Sequence, residues 1–139
     1  MPRGSERMNR VITWLEKRPK AAWTLVIAYA VLIFSLSSMS HTPQPVEVTD
    51  SVGHELLTTT EHAIEYIIFG MLLLGGFRSL EKTRKDAAYL AFLIAVLYAA
   101  TDEIHQYFVP YRICDVKDLL ADSAGALAGI IMAKKQVKD

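Results

Sequence analysis

The chain has 139 residues, about the length of one domain, and its 15 Lys and Arg are balanced by 15 Asp and Glu. Hydrophobic residues make up 52% of the chain, which excludes a disordered protein. The zero net charge excludes a nucleic-acid-binding protein that relies on overall positive charge. The single cysteine, Cys114, excludes an intrachain disulfide framework and a cysteine-rich zinc site.

Four apolar segments follow one another along the chain. Residues 21–39 contain no charge, and at about 1.5 Å per residue they cross most of a bilayer core about 30 Å thick. Residues 63–77, 87–101 and 119–133 are shorter, and each contains at most one charged residue. A soluble four-helix bundle is the alternative, but its helices would carry a polar stripe, which the first and third segments lack. The pattern predicts an all-α integral membrane bundle of four transmembrane helices in residues 21–133.

Basic residues give an independent test of this topology. Six precede the first span, four lie in the second loop and three follow the last span, whereas the first loop has none and the third has two. The positive-inside rule places the more basic side in the cytoplasm. We therefore expect both termini to be cytoplasmic, with a basic segment at 1–20 and a basic tail at 134–139. Within the first segment, residues 10–18 fit either an interfacial helix, with Val11, Trp14 and Leu15 on one side, or a frayed basic flank.

Polar residues concentrate at one end of three predicted spans, and the predicted topology places all three groups on the outer side. Charged side chains within a bilayer cost about 2.5–3.5 kcal/mol each on insertion scales, so a small chain is expected to keep them for a purpose. Helical spacing places the members of each group on one face. The sequence therefore predicts one outer-facing polar site for a ligand. Its candidate residues are His62, Glu65, Tyr66, Asp102, Glu103, His105, Gln106, Arg112, Asp115, Asp118 and Asp122.

Several of these residues also have a purely structural interpretation. Glu65 can pair with a histidine and hold two helices in register. Asp118 or Asp115 can cap the last helix, and Arg112 can neutralise a nearby carboxylate. Glu103 can point into water. These alternatives stay open at the level of the sequence.

Three functions are compatible with the polar set. It can bind a lipid-linked or other anionic headgroup, with Arg112 on a phosphate and the carboxylates on hydroxyls or a bridging cation. It can belong to a hydrolase or transferase acting on such a lipid, with Asp102 and His105 as the acid–base pair. It can also be a structural module whose polar residues only lock helices together.

A divalent metal is a further option, because histidine and carboxylates suit several divalent ions. The pairs His62/Glu65 and Asp102/His105 are only loosely similar to the Glu-x-x-His pairs of di-metal bundles, so no metal ligand is assigned.

Small residues recur in the last span. Ala121, Gly125 and Gly129 are four residues apart, a spacing that lets helices approach closely. Their partner is either another span of this chain or a second copy in a homo-oligomer.

Three stretches carry a family resemblance. The segments EHAIEYIIFGMLL (61–73) and TDEIHQYFVPYRICDVKDLLADSAGALAG (101–129), together with FSLSSMS (34–40), resemble the VanZ-like family of small bacterial membrane proteins. The resemblance runs from about residue 25 to 132, and it implies a multi-pass protein of the bacterial inner membrane. It also implies a link to low-level resistance to teicoplanin, a glycopeptide that targets cell-wall precursors, but no particular reaction. The residues that match the family motifs are the polar set without Asp122, together with Pro110 and Gly125.

Overall fold

The computed structural model describes residues 4–39, 51–80, 83–110, 112 and 114–136. These residues form helices only, as the sequence predicts, and the described ranges contain no strand. The five helices are α1 (Gly4–Glu16), α2 (Pro19–Ser37), α3 (Ser51–Arg78), α4 (Arg84–Gln106) and α5 (Val116–Gln136).

Local sequence explains where several helices begin. Pro19 opens α2, because its fixed backbone angle suits the first helical turn. The Thr83 hydroxyl caps α4 by accepting a hydrogen bond from the Asp86 amide at 3.2 Å. These two residues separate α2 and α4 from the elements before them.

Helix α3 is longer than the sequence predicts. It begins at Ser51, whereas we expected a loop up to Glu61. A helix satisfies its own backbone groups, so it continues through this polar stretch without an apolar face to bury. Within it, the Thr60 hydroxyl donates to the Leu56 carbonyl at 2.6 Å. The first half of the predicted loop, with Pro43 and Pro45, lies outside the described residues.

Helix α3 lies at the centre of the bundle and contacts each of the other four helices. Its closest neighbour is α5. A side-chain carbon added at Gly125 would overlap the carbonyl oxygen of Ala63, and one added at Gly129 would overlap that of Ile67. The two backbones therefore touch directly, as in small-residue packing. The glycine face of α5 is occupied by α3 of the same chain, so it is not available to a second copy.

The buried face of α4 carries small residues, whereas much of the outer surface of the bundle carries large apolar ones. Four alanines at four-residue spacing, Ala87, Ala91, Ala95 and Ala99, form the fully buried face of α4. Outward-facing positions of α2 to α5 instead carry large apolar side chains, which include Leu25, Ile27, Val31, Ile64, Ile68, Leu93, Leu97, Leu127 and Ile131. This arrangement is the reverse of a water-soluble bundle, whose outer faces are polar.

Two of the described helices are long and apolar enough to cross a membrane. They are Pro19–Ser37 and Lys85–Gln106, which correspond to the first and third predicted spans. Together with the apolar outer surface, they indicate a membrane protein.

Helix α2 packs mainly against α3 and barely touches α4. Two tyrosine hydroxyls connect it to both neighbours. Tyr29 of α2 donates to the Glu65 carbonyl at 3.3 Å, and Tyr98 of α4 donates to the Ala30 carbonyl at 2.6 Å.

The basic N-terminal segment is helical and packs against the bundle. Ile12 and Leu15 of α1 are buried, whereas Val11 and Trp14 are exposed. Of the three residues expected on the apolar side, Leu15 is therefore buried in the bundle, and Val11 and Trp14 lie on the outside, where an interfacial helix would meet the membrane. At its end, Glu16 accepts a hydrogen bond from Arg78 of α3 at 2.9 Å.

Candidate functional site

The centre of the candidate site is a contact between α3 and α5. His62 Nδ1 lies 3.1 Å from Asp122 Oδ1, and the Asp122 side chain is fully buried. The contact is possible because the neighbouring residue Ala63 meets Gly125 backbone to backbone, which brings the two helices unusually close. Because the helices are so close, the short side chains of His62 and Asp122 are long enough to make contact.

Helix α4 adds a third side chain to this contact. Polar atoms of His62, Glu103 and Asp118 all lie within 4.8 Å of one another. Glu103 is only 3% exposed, so the interpretation that it points into water is wrong. Its Oε2 accepts a hydrogen bond from the Asp115 amide at 3.0 Å. Three helices therefore bring ionisable groups to one place at the same end of the bundle.

The start of α5 explains why Asp118 is available to the site. Asp115 precedes the helix, and its Oδ1 accepts a hydrogen bond from the Lys117 amide at 2.9 Å, which is N-cap geometry. Its carbonyl accepts from the Asp118 amide at 3.1 Å. Asp115 is thus the cap, and Asp118 lies in the first turn with its carboxylate near His62 and Glu103.

Several buried polar atoms at this end make no hydrogen bond with the described part of the chain. The residues that carry these atoms are almost completely buried. Such atoms are unusual, because nearly all buried polar groups in proteins have a hydrogen-bond partner. Glu65 and Tyr66 lie within electrostatic range of Asp122 and Asp102. Gln106 donates to Asp102 Oδ2 at 3.2 Å, which leaves the other oxygen free. The atoms concerned are Tyr66 OH, Asp102 Oδ1, Glu103 Oε1 and Asp122 Oδ2.

His105 lies at the edge of this cluster and contacts α2. Its ring stacks on Phe34 with 4.3 Å between centroids, and its Nε2 lies 2.9 Å from the Ser38 hydroxyl. Asp102 contacts Gln106 instead. The predicted acid–base pair of Asp102 and His105 is therefore not formed, since the side chain of His105 turns towards α2.

Arg112 also lies at the end of α2. It donates to the carbonyls of Leu36 and Met39, each at 3.4 Å. The Leu36 carbonyl lies in the last turn of α2, where the negative end of the helix dipole makes a guanidinium favourable. Among the described residues, Arg112 contacts backbone oxygens and no carboxylate, so this part of the chain does not support the interpretation that Arg112 neutralises one.

An open apolar groove of about 350 Å³ runs along α2 where this helix stands apart from α4. Its lining includes Trp23, Val31, Phe69 and Tyr98, and it reaches Phe34, the ring on which His105 stacks. Sequence reasoning did not find this groove, because its walls come from three helices whose apolar residues look like ordinary span residues. The only signal was the FSLSSMS match, which contains Phe34.

Cys114 is exposed beside the site. The pKa of its thiol is raised, first by desolvation and then by the neighbouring Glu103 carboxylate. Both effects disfavour the thiolate, which is the reactive form of a cysteine.

Comparison with known proteins assigns a family to this arrangement. The sequence model of the VanZ/LLP1 family matches residues 21–137, which include nearly all of α2, the full length of α3 to α5 and every residue of the candidate site. No curated protein and no solved structure gives a significant match. Because the matched region is most of the chain, the protein belongs to the VanZ/LLP1 family.

Proposed function

We propose that the chain crosses the bacterial inner membrane four times, with both termini in the cytoplasm. Helices α3 and α5 expose large apolar side chains such as Ile68 and Leu127, as the two helices of membrane-span character do. At 28 residues, α3 is about 42 Å long and exceeds a bilayer core of about 30 Å. Lys134 and Lys135 lie at the opposite end from the polar site, so the positive-inside rule favours an outer-facing site.

We propose further that this site recognises the headgroup of an anionic envelope lipid. The observation that carries the proposal is the groove along α2, whose lining includes Phe34, the ring on which His105 stacks. Arg112 donates to the Leu36 carbonyl of the same helix, two residues further along. An acyl chain fits an open apolar groove, and its volume falls within the usual range for ligand sites, about 300–1,000 Å³. With the described residues, Arg112 makes two long hydrogen bonds, and its guanidinium has further N–H donors that can bind a phosphate.

The family link to teicoplanin resistance favours a lipid-linked cell-wall precursor, or a lipid of similar charge, as the ligand. A site on the outer face meets such lipids directly. The buried carboxylates of Asp102 and Glu103 would orient sugar hydroxyls or a bridging cation beside the phosphate.

Lipids that co-purify with the full-length protein test this proposal. Native mass spectrometry should find anionic lipid on the wild type, and Arg112→Ala should reduce its occupancy about tenfold, the effect of losing one charge-assisted hydrogen bond. Lys135→Ala is the matched control, because it removes an exposed basic residue at the other end. Equal lipid occupancy in all three proteins would contradict the proposal and favour the purely structural role.

A second function is supported by the His62–Asp122 contact. A buried carboxylate that orients an imidazole is a common arrangement for general acid–base catalysis. A hydrolase or transferase acting on the bound lipid would therefore use His62 and Asp122, with Asp122 as the positioning residue. In the same lipid analysis, an enzyme would generate product lipids with the wild type that are missing with Asp122→Asn.

A further inference from the structure

We propose that His62, Glu103 and Asp118 bind one divalent transition-metal ion, with Asp122 holding His62 in position. The proposal goes beyond headgroup recognition, because it concerns the protein without any lipid. Two observations support it: three helices converge at these side chains, and buried oxygens there lack a hydrogen-bond partner among the described residues.

The three side chains form a suitable ligand set. One imidazole nitrogen and two carboxylate oxygens lie within 4.8 Å of one another. Ligand atoms at about 2.0–2.2 Å from an ion are separated by at most about 4.4 Å, so small side-chain rotations complete the site. A mixed set of imidazole and carboxylates suits ions such as Zn²⁺ or Mn²⁺, whereas Mg²⁺ and Ca²⁺ prefer oxygen alone. Three protein ligands leave a further position open for water or a ligand oxygen.

Asp122 has the role that a carboxylate plays behind a metal-bound histidine. It contacts His62 through Nδ1 at 3.1 Å, and the other ring nitrogen, Nε2, makes no hydrogen bond with a described residue. Carboxylates placed in this way fix the orientation of the ring and raise its basicity as a ligand. Asp122 is fully buried, so its contact with His62 is not a surface ion pair.

Glu103 supplies an independent observation that points to a ligand. The residue is 3% exposed, its Oε2 is held by the Asp115 amide, and its Oε1 has no hydrogen-bond partner in the described chain. A buried carboxylate oxygen without a partner is costly, and a cation satisfies it. The Asp118 carboxylate lies close to it, and two like charges at this separation repel unless a positive charge lies between them.

Zinc binding to the full-length protein in detergent tests this inference. After treatment with a chelator, calorimetric titration with Zn²⁺ should give one site per chain in the wild type. Glu103→Gln keeps the shape of the side chain but should abolish the site, and Asp122→Asn should weaken binding about 10–100-fold. Glu61→Gln is the matched control, because Glu61 is an exposed carboxylate next to His62 and should bind as the wild type does.

Thermal unfolding with and without Zn²⁺ provides a second measurement on the same proteins. The wild type and Glu61→Gln should gain stability from Zn²⁺, whereas Glu103→Gln should gain none. Asp118→Asn, which changes a side chain less buried than Glu103, should also gain none. If the wild type binds Zn²⁺ no better than these two variants, the inference is wrong. Arg112→Ala should retain full Zn²⁺ binding while losing lipid, so the metal site and the lipid site can fail separately.

Discussion

Charged side chains have different surroundings at the two ends of the bundle. At the basic end, Arg78 is buried but pairs with Glu16 at 2.9 Å, and Lys134 and Lys135 are exposed. At the polar end, Asp122 and Glu103 are almost completely buried, and carboxylates outnumber the one histidine that contacts them. At the basic end, these charges are paired or solvated, although Arg78 Nε is buried without a hydrogen-bond partner in the described part of the chain.

The polar end cannot be explained in the same way. Buried carboxylates without sufficient countercharge reduce stability, and ionisable groups within spans are generally functional. The comparison indicates that buried carboxylates with too little countercharge mark the site better than the number of charged residues does, since both ends are rich in charged residues.

The largest loss of stability is expected when the Asp122 carboxylate, which contacts His62, is removed. Asp122→Ala leaves a largely buried imidazole without its partner and should reduce the free energy of unfolding by about 3 kcal/mol. This value is at the low end for a buried pair because His62 keeps 12% side-chain exposure. Glu16→Ala, at the basic end, should cost less than about 1 kcal/mol, because Glu16 is partly solvated. Denaturant titration in mixed micelles measures both, and a larger loss for Glu16→Ala would contradict the contrast.

An intermediate effect is expected where the backbones of α3 and α5 touch. In Gly125→Ala, the added methyl group meets the Ala63 carbonyl and forces the helices apart. The expected loss is about 1–3 kcal/mol, together with weaker Zn²⁺ binding because His62 moves away from Asp122. Ala124→Val is the control, since Ala124 is exposed and should change stability by less than about 0.5 kcal/mol. Wild-type stability and metal binding in Gly125→Ala would show that this contact does not position the site.

Chemical modification of the exposed Cys114 thiol should change the free energy of unfolding by almost nothing. The same reaction shows on which side of the membrane the polar end lies. A membrane-impermeant maleimide should label Cys114 in right-side-out vesicles, because the polar end faces outwards in the proposed topology. In a Cys114→Ser background, Lys135→Cys should be labelled only in inside-out vesicles. The opposite labelling pattern would reverse the proposed orientation of the polar and basic ends.

Part of this architecture could be predicted from the sequence, and the reason is physical. Helical spacing relates residues within a helix, and reversal of the chain direction relates the ends of successive helices. These two relations suffice to expect His62, Asp102 and Asp122 near the same end of the bundle. Helix α4 continues past the predicted apolar segment 87–101 and ends at Gln106, so its polar residues lie on the same helix as that segment.

The contacts between helices could not be predicted in the same way. Whether Asp122 or His105 is next to His62 depends on the rotation and depth of each helix, which the glycine contacts of α5 determine. The orientation of His105 towards Ser38 depends on α2, whose apolar sequence gives no sign of its rotation. The same limit applies to Glu103, since its burial is decided by α5 and not by its own helix.

The tyrosine contacts of α2 have a consequence for how firmly this helix is attached. Little area joins α2 to α4, yet the Tyr98 hydroxyl binds the Ala30 carbonyl and Tyr29 binds that of Glu65. In hydrocarbon, a polar group that loses its partner costs several kcal/mol, far more than in water. Sliding or rotation of α2 would break these bonds, so two hydroxyls fix its height against its neighbours while the space between the helices stays open.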